Sequence, residues 1–160
     1  MKRFNISGLA GVFIAVILCL TGCSGKDEAA VEPSPADVTA AVMSEVEFSS
    51  PAPKTLETIG AYYTILDTSS VSDMSVYVCG SGAYPDEIAV MKFDTPEAAD
   101  KGYDAVSARY DEMIKTFIDY TPEEMYKLDS AVLEKKGNYV IFIVCADNEK
   151  AQAAADKMFS

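Results

Sequence analysis

The residues of this chain that could do chemistry are mainly carboxylates. The sequence of 160 residues has 25 Asp and Glu, 13 Lys and Arg, and no histidine. Without histidine, Ser–His and Cys–His catalytic pairs and histidine-ligated zinc sites are excluded. The enzyme hypothesis that we retain is a carboxylate-only hydrolase, which would require two acids that converge in a cleft about 5–9.5 Å apart.

Two groups of acids could act as acid–base pairs or as calcium ligands. They are Asp94, Glu97 and Asp100, and Asp111 and Glu112. Their spacing does not match a calcium-binding loop, and the helix dipole already favours acids at a helix start. We therefore expect no catalytic residue, no metal site and no cofactor, and we interpret the protein as a non-enzyme.

A glycine-rich stretch, Gly80-Ser81-Gly82, is the candidate contact loop. Its backbone N–H groups could face an anion, but it lacks the lysine and the following helix of a phosphate-binding loop. The acidic pair at residues 86–87 would also oppose phosphate. A hairpin turn that needs positive φ explains both glycines. Because exposed loops often carry binding residues, we expect this loop and Tyr84 to form a contact surface.

Tyrosine is the commonest aromatic residue, with nine copies that could line a groove for a sugar or a peptide. Those at helical or strand spacing are more simply explained as core or core-margin residues. The set comprises Tyr62, Tyr63, Tyr77, Tyr84, Tyr103, Tyr110, Tyr120, Tyr126 and Tyr139.

The elements that must position these residues follow from sequence patterns. We predict helices at residues 35–47, 56–63 and 96–117, a short helical segment after Thr121, and a last helix capped by Asp147. Residues 74–79 and 87–93 form one predicted hairpin, and residues 131–135 and 138–145 form another. The expected fold is α+β, with a four-stranded, mainly antiparallel sheet, two hairpins joined by the long helix, and helices packed on one face.

The first 23 residues have the order of a secretory signal. Residues 1–3 carry two positive charges, residues 9–20 are apolar, and Thr21 and Gly22 precede Cys23. The run Leu20-Thr21-Gly22-Cys23 resembles the lipobox of bacterial lipoproteins at every position. That resemblance implies thioether lipidation of Cys23 by a diacylglyceryl group and cleavage before it, and an uncleaved signal anchor is the alternative.

Cleavage at Cys23 would divide the chain into a signal peptide (1–22), a flexible tether (23–34) and a single domain (35–160). The eleven tether residues after Cys23 would reach at most ~36 Å when extended. Cys19 would leave with the signal, so Cys79 and Cys145 would be the remaining thiols. They could form a disulfide outside the cytoplasm, or they could be two buried, inert thiols. The disulfide requires their two strands to be adjacent in the sheet.

Two sequence segments resemble a catalogued bacterial lipoprotein family. They are residues 76–83 (VYVCGSGA) and residues 86–89 (DEIA), and residues 136–140 and the last helix also fit the pattern. The family is domain of unknown function 4358, and the resemblance covers roughly residues 35–159. It implies no activity, so it assigns no catalytic residue.

The charge of the chain limits its partners. The formal net charge of −12 would become −14 on loss of Lys2 and Arg3. Such a surface repels nucleic acid and anionic lipid, and it favours a basic partner or a cation. Solubility of an exported protein is the simpler explanation of the same charge.

Together these patterns favour a lipid-anchored domain at the cell membrane, facing outside the cytoplasm, that acts as a binding or interaction module. Its partner would be an envelope protein or a small ligand, not nucleic acid, and we expect an exposed apolar or aromatic patch beside the Gly80 loop. Two alternatives stay open, namely a structural accessory subunit of a membrane complex and the carboxylate-only hydrolase.

The lipidation hypothesis predicts the mass of the membrane-bound protein. Mass spectrometry of the membrane fraction should find a chain that begins at lipid-modified Cys23. An unmodified chain that begins at Met1 in the same fraction would contradict it.

Overall fold

The computed structural model describes residues 32–160. The predictions for the signal segment, for Cys19 and for Cys23 lie outside these residues. Within the described part of the chain, no helix is long and apolar enough to span a bilayer.

Residues 32–160 contain five helices and five strands in the order α-β-α-β-β-α-α-β-β-α. The helices are α1 (Pro35–Glu45), α2 (Leu56–Ile59), α3 (Pro96–Tyr120), α4 (Met125–Asp129) and α5 (Asn148–Lys157). The strands are β1 (Pro51–Lys54), β2 (Val71–Cys79), β3 (Glu87–Phe93), β4 (Val132–Lys136) and β5 (Tyr139–Val144). Short 3₁₀ turns at Thr68–Ser70 and Pro122–Glu124 precede β2 and α4.

The predicted helix starts are confirmed by their capping bonds. Ser34, Thr95 and Asp147 each accept a hydrogen bond from a backbone N–H in the first turn of α1, α3 and α5. These bonds satisfy N–H groups that a helix leaves unpaired at its N-terminus.

The α+β class is confirmed, but the sheet has five strands instead of four. Its order is β1-β2-β3-β5-β4, and every neighbouring pair is antiparallel. The additional strand is β1, which contains Pro51 and Pro53 and is absent from the four strands that the sequence predicts. Proline cannot donate to a ladder, so it is tolerated at an edge where its nitrogen points to solvent. The position of β1 at the sheet edge accounts for both prolines.

The helices cover both faces of the sheet, which corrects the prediction of a single covered face. One core lies between the sheet and α3, with Ile59 of α2 and Leu128 of α4. The second core lies under α1 and α5 and includes Val38 and Ala151. The side chains of β5 are all buried, as expected for a strand apolar on both faces, because helices pack above and below it.

The sheet order also removes the condition for the disulfide. β2 and β5 run in the same direction, so Cys79 and Cys145 lie at the same end of the sheet. However, β3 lies between the two strands. Both cysteines are free and buried, which is the alternative stated for them.

α3 packs closely against the sheet at a glycine. Gly102 faces the aromatic ring of Phe93 on β3, and a Cβ atom at this position would overlap that ring. A glycine in a helix interior costs about 1 kcal/mol relative to alanine. The close approach of helix and sheet is the structural reason for this glycine.

This contact predicts that Gly102→Ala destabilises the domain. Overpacking of the Phe93 ring should cost about 3 kcal/mol, which exceeds the gain of about 1 kcal/mol in helix propensity. The free energy of unfolding, measured in urea, should fall by ~2 kcal/mol. Gly60→Ala is the matched control, because no atom lies within 4 Å of its added Cβ and its φ is −60°. Equal stabilities of the two variants would contradict the prediction.

Candidate functional site

A pocket of about 340 Å³ opens at the end of the sheet where β2 ends and β3 begins. The β2–β3 loop forms one wall, α3 forms another, and Tyr62 closes a third side. Gly80, Ser81, Gly82 and Tyr84, the residues predicted to form a contact surface, all line this pocket. The structure therefore brings the whole candidate loop to one concave site.

The two glycines of the loop have different structural reasons. Gly82 has φ +67°, as predicted for a hairpin turn, and its N–H donates to the carbonyl of Cys79 at 3.2 Å. Gly80 has no positive φ, which corrects the prediction for this residue. It packs against the first strand, where an added Cβ would lie 3.1 Å from the Cβ of Ala52 and its N–H donates to Ser50.

A buried carboxylate forms the floor of the pocket. Glu87 is fully buried at the start of β3. Its Oε2 accepts hydrogen bonds from Nη2 and Nε of Arg109 at 2.9 and 3.3 Å, and its Oε1 accepts one from the hydroxyl of Tyr63. Burial raises the pKa of Tyr63 well above its usual value, and the negative charge of Glu87 raises it further. The phenol is therefore a donor to the carboxylate at neutral pH.

A second buried carboxylate lies next to the first. Asp86 accepts hydrogen bonds from Nζ of Lys127 at 2.7 Å and from the backbone N–H of Ser49 at 2.9 Å. Lys127 also pairs with Glu124 at 2.7 Å. Burial alone would lower the pKa of Lys127, but its bonds to Asp86 and Glu124 outweigh burial and raise it. Both acids of the pocket floor are thus paired with cations, which gives no support to the hydrolase hypothesis.

These ion pairs are not evident from the sequence pattern of α3, because Arg109 lies close to Asp111 and Glu112 on the chain and such a charged stretch indicates a solvent-facing side. The sequence of β3 does indicate a buried acid. Glu87 shares one face of the strand with Ala89, Met91 and Phe93, which are core residues. An acid at a core position requires a buried cation. Arg109 meets that requirement, with its side chain 19% exposed.

The two cysteines differ in their surroundings. Burial would raise the pKa of Cys79, but hydrogen bonds from the Ser81 hydroxyl and from backbone N–H groups of the loop outweigh burial and lower it. The Cys79 sulfur lies 3.2 Å from Oγ of Ser81. Burial raises the pKa of Cys145, which is fully enclosed beyond β5. Cys79 is therefore the more acidic thiol, and it lines the pocket.

Two tyrosines, Tyr62 and Tyr84, line the pocket, and both lie near cations, as does Tyr126 on α4. Nζ of Lys127 lies 5.4 Å from the ring centre of Tyr84 and 6.0 Å from that of Tyr126. The guanidinium carbon of Arg109 lies 5.6 Å from the ring centre of Tyr62. Tyr84 is 43% exposed and Tyr126 is 53% exposed, so the structure has the aromatic patch expected beside the Gly80 loop.

The other tyrosines and acids lie as follows. Tyr63 and Tyr139 are core residues, Tyr77, Tyr103 and Tyr110 are half-buried, and Tyr120 is exposed. The acids first considered as catalytic groups or calcium ligands (Asp94, Glu97, Asp100, Asp111 and Glu112) are all exposed. Across residues 32–160, no three His, Cys, Asp or Glu side chains are grouped as metal ligands.

The buried pair predicts an asymmetric response to mutation. Arg109→Met leaves the Glu87 carboxylate buried without its cation, which should cost about 3–5 kcal/mol of unfolding free energy. Glu87→Gln in the same chain removes that charge, so the double variant should recover a large part of the loss. Lys135→Met is the control, because its partner Asp100 is exposed and such pairs contribute about 0–1 kcal/mol. An Arg109→Met loss no larger than the control would contradict the account.

Comparison with known proteins adds a family to this geometry. No curated protein and no solved structure matches the chain. A family model described as a domain of unknown function (DUF4358) matches residues 44–145, which include β1 to β5, the Gly80 loop and both ion pairs. The match covers more than half of the sequence, so this chain belongs to the DUF4358 family.

Proposed function

We propose that this protein is a lipid-anchored lipoprotein facing outside the cytoplasm, and that its domain is a binding module whose site is the pocket under the Gly80 loop. The observation that carries the proposal is the construction of this pocket. Two buried ion pairs fix its floor, a hairpin loop and a helix form its walls, and Tyr62 and Tyr84 line it. Concave sites with a few fixed polar groups and aromatic walls are typical of ligand and peptide binding.

The position of the pocket relative to the start of the domain supports the proposal. Glu32 pairs with Lys92 at 2.7 Å, and the Tyr139 hydroxyl donates to the carbonyl of Pro33 at 2.9 Å. Lys92 and Tyr139 are neighbours at one end of the sheet, whereas Glu87 lies at the other end. The five residue-to-residue steps from Glu87 to Lys92 span ~17 Å of extended strand. The polypeptide thus enters the domain at the end opposite the pocket.

This geometry suits a membrane-tethered binding module. The lipobox would attach the chain to the bilayer through Cys23, and the tether would lead to Glu32. The pocket would then point away from the membrane, toward envelope proteins or ligands. The strongly acidic domain would also be repelled by an anionic lipid surface, which favours the same orientation.

Site-specific photocrosslinking of the full chain in its native membrane tests the proposal. A benzophenone amino acid replaces Tyr84 at the pocket or, as the control, Glu149 on α5, which covers the opposite face of the sheet. Irradiation should give an adduct of defined mass from position 84 and none from position 149. Adducts at both positions would indicate a structural subunit packed on all sides, and an adduct from position 149 alone would contradict the proposed site.

A further inference from the structure

We propose that the partner presents a basic protein segment, rich in Arg or Lys, to an acidic tyrosine surface at the mouth of the pocket. We define the tyrosine surface as Tyr84, Tyr120 and Tyr126. The inference rests on the proposed binding function and names the chemistry of its partner.

Tyr120 lies on the side of α3 that lines the pocket. Arg109, Met113 and Thr116 line the pocket. Tyr120 follows Thr116 by four residues and Arg109 by eleven, so it lies on the same side of the helix one turn further on. It is 67% exposed. The pocket side of α3 therefore ends in an exposed aromatic side chain that belongs to neither hydrophobic core.

The segment that carries Tyr120 and Tyr126 has an excess of negative charge. Residues 111–129 contain six acids and two lysines. Lys127 is already paired with Asp86 and Glu124. Asp119 and Glu123, which flank Tyr120, are exposed and form no ion pair within residues 32–160. The surface is thus complementary in charge to a basic segment.

Asp119 carries a second indication. It stands in the last turn of α3, where the helix dipole favours cations, and that turn contains no basic residue. A carboxylate there is unfavourable for the free domain, and an incoming Arg or Lys would relieve it. Replacement of Asp119 by Asn should for the same reason leave the fold intact.

Tyrosines near the pocket already make cation–π contacts within the domain. Tyr84 and Tyr126 share the ammonium group of Lys127, and Tyr62 lies near both Lys54 and Arg109. An exposed tyrosine face with acids beside it is suited to a guanidinium, which stacks on the ring and bonds to a carboxylate. Nucleic acid and anionic lipid would be repelled by the same acids. A basic protein segment therefore fits best.

The test uses the full chain in a non-ionic detergent and a fluorescein-labelled peptide of six Arg-Gly repeats. Fluorescence anisotropy should detect binding, with empty micelles as the blank. Tyr120→Ala with Tyr126→Ala should weaken binding by roughly five- to thirtyfold, because each exposed cation–π contact contributes modestly. Absence of binding to the wild type, or equal affinity of the wild type and this variant, would overturn the inference.

A matched pair of charge variants separates this surface from general acidity. Asp119→Asn with Glu123→Gln should weaken binding about tenfold, as expected for two exposed charges next to the ligand. Glu97→Gln with Asp104→Asn removes the same charge from exposed positions nearer the start of α3, and should change binding less than twofold. Equal losses from both pairs would overturn the inference. A position-84 crosslink to a partner whose binding neither tyrosine nor charge variants weaken would also overturn it, and would leave the binding function standing.

Discussion

The buried carboxylate of Glu87 is the constraint on which the rest of the site depends. A charge inside a protein is tolerated only when it is paired and hydrogen-bonded. Glu87 meets this condition by accepting bonds from Arg109 on α3 and from Tyr63 in the segment after α2. Three separate parts of the chain therefore converge on one strand end. Asp86 connects two further segments to the same strand end, because it accepts hydrogen bonds from Lys127 on α4 and from the backbone N–H of Ser49 before β1.

These bonds hold the Gly80 loop in position. The loop connects Cys79 to Asp86, and the carbonyl of Asp86 accepts the N–H of Cys79 at 2.9 Å. Its base is thus closed by a backbone bond and fixed below by two ion pairs. Positioning a loop on rigid elements lowers the entropy that a ligand must offset on binding. The same arrangement places the loop at the end of the sheet remote from residue 32.

The sequence predicted the elements better than their assembly. The caps at Ser34, Thr95 and Asp147 are local chemistry, so they were readable without a structure. The β1 strand was not, because its prolines are acceptable only at an edge that the sequence cannot reveal. The sequence also did not determine which strand of one hairpin lies beside which strand of the other, since more than one arrangement satisfies the hydrophobic pattern. The observed order separated Cys79 from Cys145 by β3 and left both thiols free.

The glycines of residues 80–82 were enough to predict the candidate loop. The buried ion pairs below the loop were not predictable from α3, because an arginine beside acids on a long amphipathic helix is usually exposed to solvent. The single acid in the apolar run of β3 was the available sign of a buried ion pair.

The most direct test of the account is the side-chain Nε–H signal of Arg109 in a ¹H–¹⁵N spectrum. Arg109 is the only arginine after Arg3, so the signal is easily assigned. Its hydrogen bond to Glu87 predicts slow exchange with water, and exchange as fast as that of a free guanidinium would contradict the account.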